Sequence, residues 1–97
     1  MSELAEEEML IFKINNQKDT FKLLILLWNR GRLYGSKIRR LGMNDRTLIK
    51  VREVLHEYGL INLTAIEGSR RLYYDLTPKG KRVVEKLVDL ERELISD

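Results

Sequence analysis

The chain has 97 residues, of which 43% are hydrophobic and 34% are charged, and this composition indicates one soluble globular domain. Cysteine is absent, which excludes disulfides and thiolate metal sites, and no apolar run approaches the ~20 residues that span a bilayer. The acidic N-terminus lacks the basic-then-apolar pattern of a signal sequence, so we expect an intracellular protein that makes no membrane contact.

The net charge of +3 is distributed unevenly along the chain. Residues 1–16 carry four glutamates and one lysine, whereas residues 30–82 carry thirteen lysines and arginines against five acids, a balance of +8. A basic middle on a small domain indicates an anionic partner, most often nucleic acid. The alternative is an ordinary solvated surface of mixed charge.

Residues 1–18 form an acidic segment that we separate from the rest of the chain. Its acidic start favours a helix and its end favours a strand, so we predict a helix over roughly residues 3–10 that runs into an extended piece. Residues 15–17, Asn-Asn-Gln, interrupt this pattern.

A strongly apolar helix is predicted to begin after Asp19, a candidate N-cap, and to end at Gly31. One helical stripe is formed by Phe21, Leu24, Ile25 and Trp28. Three further leucines make the helix apolar almost all round, which predicts a central position in the core.

Two more helices follow with a tight turn between them. Ser36 is the predicted N-cap of a very short helix that stops at Gly42, and Asn44 is the predicted N-cap of a longer helix that ends at Gly59. The longer helix has one apolar face, formed by Leu48, Val51, Leu55 and Tyr58 at spacings of 3, 4 and 3.

The next segment predicts a β-hairpin, with LINLTAIE as the first strand, EGSR as the turn and RLYYDL as the returning strand. Because side chains alternate along a strand, Leu72, Tyr74 and Leu76 share the core-facing side and Tyr73 lies on the other. Residues 77–78, Thr-Pro, predict the N-cap and first position of a final helix.

The final helix carries an apolar seam that resembles one side of a coiled coil. Its members, spaced 4, 3 and 4 apart, are Val83, Leu87, Leu90 and Leu94. Because this helix extends past a three-helix core, we predict that it holds a homodimer together. The alternative is that it folds back onto Leu24 and Trp28 of its own chain.

The predicted elements follow the order of a winged helix-turn-helix, which is a helix, a short helix, a turn, a longer helix, a hairpin and a final helix. The helix-turn-helix stretch reads SKIRRLGMNDRTLIKVREVLHEYGLI, and the stretch from the returning strand into the last helix reads RRLYYDLTPKGKRVVEKL. Both resemble winged-helix transcription regulators of bacteria and archaea, in the style of the small archaeal regulators and the MarR- and PadR-like groups. The resemblance covers about residues 19–90. It implies a mainly α fold with a small β-hairpin (α+β), in which residues 19–77 form the DNA-binding domain and residues 78–97 the dimerisation helix.

The resemblance also implies how the protein would bind double-stranded DNA, as a cytoplasmic, nucleoid-associated homodimer. Helix 45–58 would enter the major groove, where Arg46 pairs with guanine and Ile49 packs on a thymine methyl group, and wing 67–71 would enter the minor groove. The predicted DNA-contacting residues are Lys37, Arg39, Arg40, Asn44, Arg46, Thr47, Ile49, Lys50, Arg70 and Arg71.

Other functions are disfavoured by the residue types. The single histidine, His56, has no cysteine or second histidine with which to share a metal, and no serine lies in a recognisable catalytic motif, so we predict no enzyme, no cofactor and no small-molecule effector. Two other binding functions remain open. An architectural DNA-coating protein is disfavoured by Asp45 and Glu53 on the recognition helix, and a module for protein contacts alone is disfavoured by the basic cluster.

Overall fold

Helices dominate the computed structural model, which describes residues 9–97. In chain order, the elements are α1 (Leu10–Asn16), α2 (Thr20–Arg30), β1 (Leu33–Tyr34), α3 (Gly35–Arg40), α4 (Asp45–Glu57), β2 (Ile61–Ala65), β3 (Leu72–Leu76) and α5 (Pro78–Ile95). This is the predicted winged helix, mainly α with a small antiparallel sheet. No helix between residues 9 and 97 combines the length and the apolar character needed to cross a membrane.

The sheet has three strands in the order β1-β3-β2, all antiparallel. The predicted hairpin forms β2 and β3, whereas β1 was not predicted from the sequence. In β1, Leu33 pairs with Tyr74 and Tyr34 pairs with Tyr73. A two-residue strand is too short to show alternation in sequence, and its partner lies about forty residues away along the chain.

The core lies between α2, α4, α5 and the inner face of the sheet. Its buried side chains include Leu23, Leu24, Leu27, Leu48, Val51, Leu55, Leu60, Ile61, Tyr74, Leu76 and Val84. The predicted inner faces of α4 and β3 are therefore confirmed. Tyr58 and Leu72, at the margins of these faces, are half-buried.

The predicted apolar stripe of α2 is only partly correct. Leu24 is fully buried, but Phe21 and Ile25 are half-buried and Trp28 is 39% exposed. The core-facing side of the helix is instead centred on leucines 23, 24 and 27. A helix that is apolar almost all round does not specify its inner face, so the positions of the sheet and α5 decide it.

The chain before α2 also differs from the prediction. Residues 11–14 are helical within α1 and not extended, while residues 3–8 of the predicted helix lie outside the described part of the chain. Asp19 does precede α2, but it adopts a left-handed conformation (φ 69°) and its side chain accepts no capping hydrogen bond. Instead, the buried Thr20 hydroxyl donates to the Ile14 carbonyl at 2.9 Å and so ties α1 to α2.

The predicted cap of α3 is wrong, whereas those of α4 and α5 are confirmed. Ser36 lies inside α3, because pairing of β1 with β3 lets the helix begin directly at Gly35. Asn44 accepts a hydrogen bond from the Thr47 backbone N–H at 2.9 Å. At α5, the Thr77 hydroxyl accepts from the Gly80 backbone N–H at 2.9 Å.

The junction between the wing and α5 is closely packed. The Thr77 hydroxyl donates to the Gly59 carbonyl at 2.6 Å, and the Thr77 backbone N–H donates to the Leu60 carbonyl at 3.1 Å. Gly80 packs so closely on the Leu60 carbonyl that a Cβ atom would overlap it. The Thr-Pro-Lys-Gly sequence therefore anchors α5 against the end of α4.

Candidate nucleic-acid interface

The N-terminal half of α4 presents an exposed face opposite the face that it buries. Arg46, Ile49 and Lys50 are exposed there, and Ile49 keeps 45% of its surface accessible. Thr47 is half-buried, and its backbone N–H is bonded to the Asn44 cap, so the helix start is fixed in place. An exposed helix with cationic and apolar side chains near its start has the chemistry to bind base edges in a major groove.

The basic side chains of α3 lie next to the start of α4. Lys37 is half-buried, while Arg39 and Arg40 are exposed. The Arg39 Nη1 group donates to Asp45 Oδ1 at 2.6 Å in an exposed ion pair. Asp45, an acid expected to repel phosphate, is thus neutralised by its neighbour in the free protein. Arg40 donates to the Tyr34 hydroxyl at 3.1 Å and so remains near β1.

The tip of the wing is a short turn between β2 and β3. The Ser69 backbone N–H donates to the Ile66 carbonyl at 2.9 Å, and Gly68 supplies the positive φ of 80° that the turn requires. The Ser69 hydroxyl then accepts from the Arg71 backbone N–H at 3.1 Å. Arg70 is exposed beside this turn, where its guanidinium group is free to reach a groove.

Two arginines and two tyrosines stack on the outer face of the sheet, an arrangement that was not predicted from the sequence. The guanidinium carbon of Arg71 lies 4.3 Å from the Tyr34 ring centre, and that of Arg32 lies 4.5 Å from the Tyr73 ring centre. The two rings meet edge to face at 5.9 Å. Hydrogen bonding to the Tyr73 side chain and, second, the nearby Tyr34 raise the pKa of Arg71 above its ordinary value. Arg71 is therefore held at the base of the wing.

A polar cleft of about 260 Å³ separates α4 from the wing. It brings together four of the predicted DNA-contacting residues, namely Arg39, Ile49, Arg70 and Arg71. Lys37, Arg40, Asn44, Arg46, Thr47 and Lys50 are not part of its lining. Arg52 also lines the cleft and was missed, because its place at the edge of the apolar stripe of α4 does not reveal in sequence that it borders the wing.

A second, apolar groove of about 600 Å³ lies between α2 and α5, away from the polar cleft. Its lining includes Phe21, Ile25, Trp28, Leu87, Leu90 and Leu94. Along the seam of α5, Val83 and Leu87 are half-buried against the chain's own core, whereas Leu90 is 52% and Leu94 71% exposed. The first half of the seam thus folds back, as in the alternative prediction, and the second half projects beyond the core.

Comparison with known proteins supports the fold assignment. No protein-family profile matches the sequence, and neither does any curated protein. Among solved structures, the chain is similar to a protein described as a MarR-family transcriptional regulator from Porphyromonas gingivalis W83, with a TM-score of 0.73 and 24% identity over 99% of both chains. It is also similar to a transcriptional regulator homologue from Pyrococcus horikoshii OT3, with a TM-score of 0.68 and 21% identity over 96% of this chain and 100% of that one. These similarities extend over nearly the whole chain and show that it has the winged-helix fold of those proteins.

Proposed function

We propose that the protein is a transcription regulator that binds specific sites in double-stranded DNA as a homodimer. The observation that carries this proposal is the exposed face at the start of α4, which displays Arg46, Ile49 and Lys50, with Arg70 on the neighbouring wing. The two structural neighbours bear the names of transcriptional regulators, which supports the same function. Binding to DNA would place the protein on the nucleoid in the cytoplasm.

The two parts of the interface would act differently. In the major groove, Arg46 would bind guanine in bidentate fashion and Ile49 would contact a thymine methyl group. In the minor groove, Arg70 would be attracted by the negative electrostatic potential, which is strongest in narrow A·T-rich segments. Lys37 and Arg40 would meet phosphates and position α4 without selecting bases.

The dimer would form through α5 and the apolar groove beside it. A second copy is the occupant that we propose, because the exposed Leu90 and Leu94 continue the groove along the same helix and repeat at coiled-coil spacing. The exposed apolar side chains of α1, among them Ile11 and Phe12, would extend this interface. A two-fold dimer presents two copies of α4, so the operator would be an inverted repeat with half-sites about one helical turn apart, or a multiple of that.

Selection of bound sequences from random duplex DNA tests the proposal directly. We expect an enriched inverted repeat, and an affinity whose logarithm falls with the logarithm of salt concentration at a slope near −5 if about six phosphates are contacted. Arg46→Ala should cost ~1–3 kcal/mol on the selected site and relax preference at one base position. Arg82→Ala, an exposed change on α5, is the matched control.

Two results would contradict the proposal. Failure of the wild-type protein to bind any duplex at low salt would remove DNA as the partner. Equal losses on selected and random DNA for Arg46→Ala would show that α4 does not read sequence.

A further inference from the structure

The polar cleft between α4 and the wing holds an excess of positive charge. Four arginines line it, Arg39, Arg52, Arg70 and Arg71, and Asp45 is the one acidic residue of the lining. Its carboxylate is paired with Arg39. Within residues 9–97, the other three guanidinium groups have no carboxylate partner. The cleft therefore has the charge of an anion site.

Arg52 is the most informative of these groups. It is half-buried, and its Nη1 atom donates to the Tyr74 hydroxyl at 3.2 Å. Tyr74 is 1% exposed and belongs to the core, so it holds the guanidinium group in a fixed place. Withdrawing a cation from water toward a neutral partner is costly unless an anion completes the site. A guanidinium fork matches the oxygens of a phosphate particularly well.

The wing side of the cleft is also held in place. Arg71 stacks on the ring of Tyr34, and Tyr34 also lines the cleft. Arg52 and Arg71 thus line the cleft from different elements, α4 and the wing, and each contacts a tyrosine. Fixed donors lose little side-chain entropy when an anion binds, which favours one defined position for that anion.

We infer that this cleft is a phosphate-binding site with Arg52 as its floor. The inference rests on the proposed function, since the occupant is then one backbone phosphate of duplex DNA, at the point where a strand passes between α4 and the wing. By gripping one phosphate from both sides, Arg52 and Arg71 set the distance between the two groove-binding elements. Arg52 positions the protein on DNA and selects no base.

The salt dependence of DNA binding tests the role of Arg52. We expect Arg52→Gln to weaken binding to a duplex about tenfold or more and to make the salt slope shallower by ~0.9, the value for one phosphate. Tyr74→Phe keeps the charge and should leave the slope unchanged while weakening binding less. Arg82→Gln, a change of the same type on α5, should alter neither quantity. An Arg52→Gln protein with the wild-type slope would overturn the inference.

Uncharged linkages in the DNA backbone locate the phosphate that Arg52 contacts. This test does not depend on the folding of any one variant. Single methylphosphonate linkages are placed along the selected duplex and bound by the wild-type protein and by Arg52→Gln. One linkage in each half-site should weaken the wild-type protein but not the variant. If Arg52→Gln does not fold, Arg52→Met takes its place. It keeps the aliphatic stem but removes the charge, so it should also lose the sensitivity to that linkage. Undiminished sensitivity at every linkage would overturn the inference.

A separate measurement distinguishes a DNA phosphate from a free one. The NMR resonance of the Arg52 Nε–H group is followed in DNA-free protein as potassium phosphate replaces chloride at constant ionic strength, and then on addition of duplex. We expect a large shift with duplex and no saturation by phosphate at millimolar concentration. Saturation at micromolar phosphate would assign the site to a small phosphorylated ligand and overturn the inference. If the wild-type protein binds no duplex, the proposed function fails, and absence of any phosphate-induced shift would then overturn the site as well.

Discussion

Replacement of Gly80 by alanine tests how α5 is anchored to the rest of the domain. A Cβ atom at this position would overlap the carbonyl oxygen of Leu60 and lie 3.0 Å from its carbonyl carbon. It would also lie 3.3 Å from a methyl group of Leu76. Because the main obstacle is backbone and not a flexible side chain, the start of α5 has to move away from the end of α4.

The magnitude follows from what that movement disturbs. Thr77 makes two hydrogen bonds across this junction, to the carbonyls of Gly59 and Leu60, each contributing ~0.5–1.5 kcal/mol. Overpacking costs ~1–3 kcal/mol, and the lower backbone entropy of alanine in the unfolded chain offsets ~0.4–1 kcal/mol. We expect a net loss of ~2–4 kcal/mol in the free energy of unfolding. For a domain of this size, the melting temperature should fall by about 10–30 °C.

Thermal unfolding followed by circular dichroism measures this loss, at one fixed protein concentration because a dimer melts in a concentration-dependent way. Gly35→Ala is the matched control, since a Cβ atom there meets only a methyl group of Leu48, at 4.0 Å. We expect the control to unfold at or slightly above the wild-type temperature. A Gly80→Ala protein that melts within a few degrees of the wild type would contradict the close approach of Gly80 to the Leu60 carbonyl.

Three further predictions concern the groove, the ion pair and the cap of α4. Leu90→Glu combined with Leu94→Glu, two changes at exposed positions, should give folded monomers by light scattering that bind a full operator poorly; a wild-type protein that is monomeric at micromolar concentration, both free and on its site, would refute the dimer. Asp45→Asn removes a negative charge and releases Arg39, so duplex affinity should rise about threefold or more and the salt slope should steepen; weaker binding would mean that Asp45 makes a favourable contact with DNA. Asn44→Ala removes the cap of α4 and should cost ~1 kcal/mol in urea unfolding, and an unchanged midpoint would contradict the observed hydrogen bond.

Local patterns in the sequence were sufficient to predict most of the fold. The caps at Asn44 and Thr77, the apolar face of α4 and the inward position of Tyr74 are all found as expected. A cap bonds a backbone group only three residues away, and an amphipathic face depends on the repeat of its own helix. Such features are encoded within a few turns of chain, and their order was enough to indicate a winged helix.

The candidate interface was predictable in its location but not in its arrangement. The charges and exposure of α4 and the wing follow from sequence, because basic side chains between buried positions point to solvent. Two contacts could not be predicted from the sequence, namely the pairing of Arg39 with Asp45 and the hydrogen bond from Arg52 to Tyr74. The second of these joins residues 22 positions apart, on different elements.

Tertiary structure decided the features that depend on partners distant in sequence. Strand β1 exists because residues 33–34 add to the edge of β3, and that pairing brings Tyr34 next to Tyr73 and under Arg71. The inner face of α2 was likewise selected by the sheet and by α5, which left Trp28 beside the apolar groove. The sequence by itself thus determined the helices from α2 to α5, the hairpin of β2 and β3, and the charges that these elements carry, but not strand β1 or the form of residues 11–14. The packing of these segments determined which side chains meet, because those contacts form only when distant parts of the chain come together.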